Sequence, residues 1–335
     1  MKKLISVVTP CYNEEDNIGE FVARVRAVFA KLPQYRWEII AIDNASTDST
    51  PDRLHALALQ EPRLKVIFNA RNFGHIRSPY YGLLQAGGDA VISCASDLQE
   101  PPELIPQFLA KWEEGFKAVV AVKNESEETP LFFMLRKAYY RVIHRLAEFD
   151  IIQNFTGFGL YDRQVIDYCR ELPDPYPYFR GLIAEIGLPT VRIPFVQPQR
   201  KRGLTKNNFY TLYDMAMLGL TNHSKVPLRL AAMAGFVMSL LSFLIGLGYL
   251  GYKLLFWDRF TVGVAPIVIG LFLFSSVQLF FIGIVGEYIG AIHTQVLRRP
   301  LVVERERINF DAAEERSEFS ASEKLHRVGI EPTTQ

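Results

Sequence analysis

The stretch Ala90-Val91-Ile92-Ser93-Cys94-Ala95-Ser96-Asp97-Leu98-Gln99-Glu100-Pro101-Pro102-Glu103 runs from an apolar segment into a carboxylate and a side-chain amide two residues apart, and its double proline opens a helix. That is the pattern of a buried strand, a loop at its carboxyl end and a crossover helix. A carboxylate in such a loop can hold a divalent cation, and a cation can hold a diphosphate. The same alternation recurs on either side. Residues 4–9 read as a strand, followed by Asn13-Glu14-Glu15-Asp16 and a helix reaching about residue 29. Residues 37–42 form a second strand, followed by a polar loop from Asp43 to Thr50 and a helix through residue 59. Residues 64–68 and 117–122 add further strands. The alternation predicts an α/β fold with a mostly parallel, doubly wound sheet and helices on both faces.

In such a sheet ligands bind beyond the carboxyl ends of the strands. Here those ends carry Pro10-Cys11-Tyr12-Asn13-Glu14, Asp43-Asn44, Asn72-Phe73-Gly74 and Asp97-Leu98-Gln99, so the polar residues converge on one rim. No Gly-x-Gly-x-x-Gly follows the first strand and no Walker sequence occurs, which disfavours a dinucleotide oxidoreductase and a P-loop enzyme. The 37 Lys and Arg nearly cancel the 36 Asp and Glu, so no global basic field draws in nucleic acid. Cys11, Cys94 and Cys169 stand outside any metal-ligand spacing and read as reduced, packed thiols of a cytosolic compartment. Met1-Lys2-Lys3-Leu4 has too short an apolar run before Pro10 for a signal peptide and reads as the approach to the first strand.

Hydropathy splits the chain. Residues 1–225 look like a soluble domain, whereas residues 226–292 hold two apolar stretches, about 228–256 and 262–289. The first has a single charge between residues 230 and 256, Lys253, and residues 262–285 have none. A helix of ~23 residues rises ~35 Å, enough for the ~30 Å hydrocarbon core of a bilayer. The short link Trp257-Asp258-Arg259-Phe260-Thr261 makes the pair a transmembrane hairpin. Lys225 and Arg229 flank the first span, and Arg298, Arg299, Arg305 and Arg307 follow the second. The positive-inside rule then predicts a multi-pass protein of the inner (plasma) membrane, with the large domain and both termini cytoplasmic. Gly246, Gly248, Gly251, Gly283, Gly286 and Gly290 permit close helix contacts and a homo-oligomer. Residues 293–335 read as a cytoplasmic tail, disordered beyond about 311.

Two amphipathic, basic segments, near 131–146 and 205–220, suit helices lying on a membrane surface. Before the second, Gln199-Arg200-Lys201-Arg202-Gly203-Leu204-Thr205-Lys206 packs four cations around a glycine. Placed next to the membrane entry, Arg200, Arg202 and Lys206 are candidate phosphate-binding residues.

Taken together, these motifs give a chain that resembles glycosyltransferase family 2, and within it the polyprenyl-phosphate glycosyltransferases. The likeness spans roughly residues 4–300. It rests on Ser6 to Glu14, Asp43 with Ser46-Thr47-Asp48-Ser49-Thr50, Asn72-Phe73-Gly74, Asp97 to Glu103, Phe179-Arg180-Gly181-Leu182, Pro227-Leu228-Arg229-Leu230 and Val285 to Gly290. The resemblance implies a GT-A (Rossmann-like) catalytic domain and inverting transfer of a hexose from a nucleotide-diphosphate sugar to a lipid phosphate. UDP-glucose and undecaprenyl phosphate are the expected pair. It further implies that Pro10, Tyr12, Glu14, Asp43 and Asn72 bind the nucleotide, and that Asp97 and Gln99 ligate Mg²⁺ or Mn²⁺. Arg200 and Lys206 would bind phosphate, with Asp97 and Arg200 as the catalytic residues. Three departures stand out. The family often has a second acid at position 44, where this chain has Asn44, and an Asp two residues before Asp97, where it has Ala95. Acids or Arg are also common at positions filled here by Asn154, Gly157 and Gly159.

A processive polysaccharide synthase is a poor fit, because no Gln-x-x-Arg-Trp sequence and no further spans are present. A transporter is disfavoured by the lack of an intramembrane polar pair. The non-enzymatic alternative is a membrane-anchored nucleotide-sugar binding or scaffold protein without turnover, which Ala95 and Asn44 favour.

Overall fold

Near-continuous apolar runs become the central strands of a sheet covered on both faces. In β2 (Arg36–Asp43) every residue after the first is buried, and β1 (Leu4–Cys11), β3 (Leu64–Asn69) and β4 (Ala90–Ser93) are similar. The computed structural model describes residues 2–123, 152, 154–172, 174–198, 226–255, 264–297 and 299–310. The segments 131–146, 199–206 and 205–220, and the tail beyond 310, lie outside the described residues. So do Arg200, Arg202 and Lys206. The chain divides into two units, Met1–Ser126 with Gln153–Thr205 and Pro300–Gln335, and Glu127–Ile152 with Lys206–Arg299.

With β5 (Ala118–Lys123), β6 (Phe155–Asp162), β7 (Thr190–Phe195) and β8 (Glu304–Ile308), the first unit holds one eight-stranded sheet in the order β7-β5-β6-β4-β1-β2-β3-β8. Strands β1 to β4 run parallel, with β2 and β3 on one side of β1 and β4 on the other. The winding direction therefore reverses between β1 and β4, which places a ligand crevice beyond their carboxyl ends. Beyond β4 the sheet is mixed: β6 (Phe155–Asp162) is antiparallel to β4 and to β5 (Ala118–Lys123), and β5 is parallel to β7 (Thr190–Phe195). The glycines noted as departures belong to β6. A Cβ on Gly159 would collide with the Val119 carbonyl oxygen, and Gly157 has φ +106°, so neither position accepts a larger side chain without movement.

Helices α1 (Ile18–Ala30), α2 (Thr50–Gln60), α3 (Gly74–Leu84), α4 (Ile105–Glu113), α5 (Arg163–Glu171) and α6 (Phe179–Glu185) cover the sheet. Phe21 and Val25 of α1 and Phe108 and Trp112 of α4 share one core with Ile39, Ile92 and Phe158. Phe158 meets Phe108 and Phe195 edge to face, with centroids 5.1 and 5.5 Å apart. All three cysteines are buried free thiols, and burial pushes the pKa of each upward.

The sequence reading of residues 293–335 as a tail, disordered beyond about 311, foresees no strand before 311, and the structure adds one there. Glu304–Ile308 form β8, an antiparallel edge strand on β3. Val302 is buried, and Asn309 donates to the carbonyls of Ala58 and Leu64 at 3.0 and 2.9 Å. Arg307, counted in the sequence as a membrane-flanking charge, donates to Glu304 at 2.5 Å and to Gln85 at 2.6 Å. The run Glu-Arg-Glu-Arg hides a strand because charges are what an exposed sheet edge tolerates.

The second unit contains α7 (Val226–Leu255) and α8 (Val264–Val296), the latter running past its expected end at 289. Both are long and apolar enough to cross a membrane. Only 6% of Leu228–Ile245 and none of Leu273–Val296 is buried, the opposite of soluble-core helices. Gly248, Gly251, Gly283, Gly286 and Gly290 have nothing within 4 Å of an added Cβ, so they serve no close helix crossing among the described residues.

Candidate active site

Three neighbouring parallel strands end in residues with left-handed backbone: Asn13 (φ 57°) after β1, Ala45 (φ 57°) after β2 and Leu98 (φ 61°) after β4. For Ala and Leu that conformation costs about 1–2 kcal/mol each, so the surrounding contacts must hold it.

Those contacts stitch the loops together. The Asn13 backbone N–H donates to Ser46 Oγ at 2.9 Å, and its side-chain oxygen accepts from the Thr47 backbone N–H at 2.8 Å. The Glu14 N–H donates to Thr50 Oγ1 at 2.9 Å. Ser46 Oγ donates to Asp43 at 2.5 Å. The hydroxyl-rich segment Ser46 to Thr50 thus fastens the β2 loop to the β1 loop. Ser96 ties the third loop in, donating to the Pro10 carbonyl at 2.9 Å.

Asp43 is fully buried, and desolvation raises its carboxyl pKa, opposed by the bonds from Ser46 and by the charge of Arg305. Asn44 is buried and uses its whole amide. It donates to Asn72 Oδ1 at 2.9 Å and to the Gly74 carbonyl at 3.2 Å. It accepts from Asn69 Nδ2 at 3.1 Å and from the Phe73 N–H at 2.9 Å. An acid could not donate twice, so the departure at 44 is a structural clamp on the Asn72-Phe73-Gly74 turn. Asn72 belongs to that clamp, accepting also from the Gly74 N–H at 2.8 Å. The Glu14 carboxylate is buried against Asn17 Nδ2 at 2.6 Å and helps open α1. Tyr12 and Pro10 sit partly buried at the rim.

In the third loop Asp97 and Gln99 are both partly exposed, and Asp97 Oδ1 accepts from the Gln99 N–H at 3.1 Å. Ala95 contributes its backbone only, donating to Glu100 Oε2 at 2.7 Å. Thr156 of β6 donates to the other oxygen of Glu100 at 2.8 Å. Glu100 was legible only as part of the motif; its task, holding the Asp97–Gln99 loop against β6, depends on a partner 56 residues away. Crowding by protein raises its pKa from 4.5 to about 7, against the pull of the Ala95 and Thr156 bonds. Between those values the folded carboxyl stays protonated while the unfolded one ionises, so its contribution to stability falls as pH rises through that window. Glu100→Gln is expected to flatten the pH dependence of the melting temperature between pH 4.5 and 7; an unchanged slope would assign it to another group.

Among the described residues no three acids, histidines or cysteines form a metal cluster. One carboxylate and one amide oxygen suit a hard cation that takes its remaining ligands from water and phosphate, the habit of Mg²⁺ and Mn²⁺ rather than of zinc. The residues present fit such an ion.

A doubly wound sheet with a polar rim at its switch point, in one chain with two apolar helices, defines a GT-A-like enzyme domain joined to a hydrophobic hairpin. Comparison with known proteins identifies the kind. The glycosyl transferase family 2 model matches residues 6–169, and the GtrB C-terminal hairpin model matches residues 226–292. The chain is 34% identical over 299 residues to the uncharacterized glycosyltransferase YkcC of Bacillus subtilis (strain 168), covering 89% of this chain and 92% of that one. It is 33% identical over 297 residues to the SfII prophage-derived bactoprenol glucosyl transferase of Shigella flexneri, covering 88% and 96%. Among solved structures, the glucosyl-3-phosphoglycerate synthase of Mycobacterium tuberculosis with Mn²⁺ and UDP aligns at TM-score 0.46 and 21% identity, over 65% of this chain and 78% of that one. The chain belongs to glycosyltransferase family 2 and is a glycosyltransferase.

Proposed function

We propose that the protein transfers glucose from UDP-glucose to undecaprenyl phosphate, with inversion, at the cytoplasmic face of the inner membrane. The observation that carries this reading is the convergence of the Asp97–Gln99 loop and the β1 and β2 loops on one crevice, in a chain that also has a hairpin fit for a bilayer. The relatives named for bactoprenol supply the acceptor class.

A lipid monophosphate is largely ionised near neutral pH, so its oxygen attacks without a strong general base. Its oxygen forms a bond to the anomeric carbon as the bond from that carbon to the nucleoside diphosphate breaks, and the electron pair leaves with the diphosphate. Asp97 and Gln99 would hold a divalent ion, which would supply charge neutralisation to that leaving group. Pro10, Tyr12, Glu14, Asp43 and Asn72 line or shape the nucleotide side of the crevice. Arg200, Arg202 and Lys206 hold phosphate. The segments near 131–146 and 205–220 rest on the membrane surface, within a catalytic domain of residues 1–225 followed by a hairpin of residues 226–292.

The test is to incubate the purified protein with Mg²⁺ or Mn²⁺, undecaprenyl phosphate and a panel of nucleotide sugars, then weigh the lipid product. Nucleotide-sugar binding without release of nucleotide on adding the lipid would instead favour the scaffold reading. For Arg200→Ala, the apparent KM for lipid phosphate should rise roughly tenfold or more, the scale of one charge-assisted contact. An unchanged rate at every acceptor concentration removes Arg200 from the phosphate site.

A further inference from the structure

The strand that follows the hairpin enters the catalytic sheet at its rim. β8 runs antiparallel to β3, with Glu304 opposite Asn69 at the carboxyl end of β3 and Ile308 opposite Val66. Just before it, the Val303 carbonyl accepts from the Ala70 N–H at 2.8 Å. Residues 300–303 therefore lie beside the start of the Asn72-Phe73-Gly74 turn, which Asn44 clamps from β2. Pro300 itself follows Val296, the last residue of α8, by four positions.

Arg77 joins the segment to the turn. It stands partly buried in the first turn of α3, and its guanidinium donates to the Pro300 carbonyl. The same guanidinium lies 5.7 Å from the centroid of the Phe73 ring, and that of Arg71 lies 4.0 Å from it, both within cation–π range. Further along α3, Arg307 donates to Tyr81 Oη at 3.2 Å and to Gln85 Oε1 at 2.6 Å. Leu301 packs against the buried group of Tyr80, Cys169 and Leu182. The segment thus grips α3 from its first turn to its C-cap. Asn309 fixes the far end, through the carbonyls of Ala58 and Leu64. A short helix moves as a rigid element, so this grip also sets the turn at its N-terminus.

We propose that Arg77 is a positioning residue for donor binding. It links the segment leaving the second apolar helix to Phe73, so that docking of residues 300–308 holds the Asn72-Phe73-Gly74 turn in the form that takes the nucleotide. This rests on the reading that the crevice binds a nucleotide sugar. Such a link is reciprocal. If the docked segment raises nucleotide affinity by some factor, the nucleotide must favour docking by the same factor. A strand that only extends the sheet would be indifferent to the nucleotide. The difference is measurable on β8, at the outer edge of the sheet.

The experiment uses the full-length protein in detergent with Mn²⁺ and with UDP as the probe, combining calorimetric titration with amide hydrogen exchange. In the parent, UDP should slow exchange of residues 304–308 more than that of β7, the strand at the opposite edge. Arg77→Ala should bind UDP at least about fivefold more weakly, the scale of a modest coupling between sites, and should lose that extra slowing. Arg77→Lys, which keeps a donor for the Pro300 carbonyl, should recover part of both. Asn309→Ala loosens the segment at its far end and should weaken UDP in the same direction. In turnover each variant should raise KM for the donor while KM for the lipid phosphate holds. UDP affinity unchanged in Arg77→Ala or in Asn309→Ala would overturn the proposal. So would equal slowing at the two edges, which marks general stabilisation. A parent protein that binds no UDP would refute the nucleotide-sugar reading itself, and this assignment with it.

Discussion

Asp97→Ala should reduce glycosyl transfer by at least about 10²–10³-fold, the usual cost of removing a preorganised electrostatic contact from a reacting group. The expectation is large because the loop offers so little else. Ala95 presents no side-chain oxygen, Glu100 is occupied by Ala95 N–H and Thr156, and no acidic cluster stands by among the described residues. Folding should survive, since the partly exposed Asp97 gives up one hydrogen bond, to the Gln99 N–H. That loss is worth about 0.5–1.5 kcal/mol. Asp97→Asn separates the two roles of the side chain. An amide oxygen can still accept from Gln99 but carries no charge, so the Asn variant should be nearly as inactive as the Ala variant. Its apparent affinity for Mg²⁺ or Mn²⁺ should fall in parallel. Turnover by Asp97→Ala close to that of the parent would remove the metal assignment. High activity in Asp97→Asn alone would turn the residue into a loop brace.

Much of this arrangement is legible in the sequence because buried parallel strands announce themselves. The apolar runs at 4–9, 37–42, 64–68 and 90–93 became β1 to β4 with shifts of at most two residues at either end. The polar residues that follow each run fell on one rim, as the winding of the sheet requires. What stayed hidden depends on partners distant in the chain. Glu304 to Arg307 looks like a solvated charge run until β3 is there to pair with it and His55 is there to meet Glu306. Glu100 and Thr156 are 56 residues apart, and no local pattern links them. Gly159 reads as a missing functional group, although the close approach of the Val119 carbonyl is what demands it. Asn44 is the sharpest case. Its sequence context marks it as a lost acid, and only the fold shows four partners that need an amide.

The second large effect concerns that residue. Asn44→Asp, which restores the acid common in related enzymes, should destabilise the protein by about 1–3 kcal/mol, the cost of leaving a buried polar side chain unsatisfied, because the new carboxylate loses both bonds that the buried Asn44 amide donates. Asn72 Oδ1 and the Gly74 carbonyl would each lose a donor and face a carboxylate oxygen instead. The bonds from Asn69 and the Phe73 N–H can persist, since a carboxylate still accepts. Burial beside two carbonyl-type oxygens will raise the pKa of the new acid above the ordinary carboxylate value of about 3.9. A raised folded-state pKa means that the destabilisation grows as pH rises from the unfolded value through the folded one. The melting temperature of Asn44→Asp should therefore lie closest to the parent's at acid pH and drop away towards neutrality. Asn44→Ala, with no charge to bury, should show a deficit that does not vary with pH. Because the clamp holds the Asn72-Phe73-Gly74 turn at the rim, donor binding by Asn44→Asp should weaken along with stability. An Asn44→Asp protein as stable as the parent, with tighter metal binding, would instead make position 44 a ligand position and leave the amide clamp without a role.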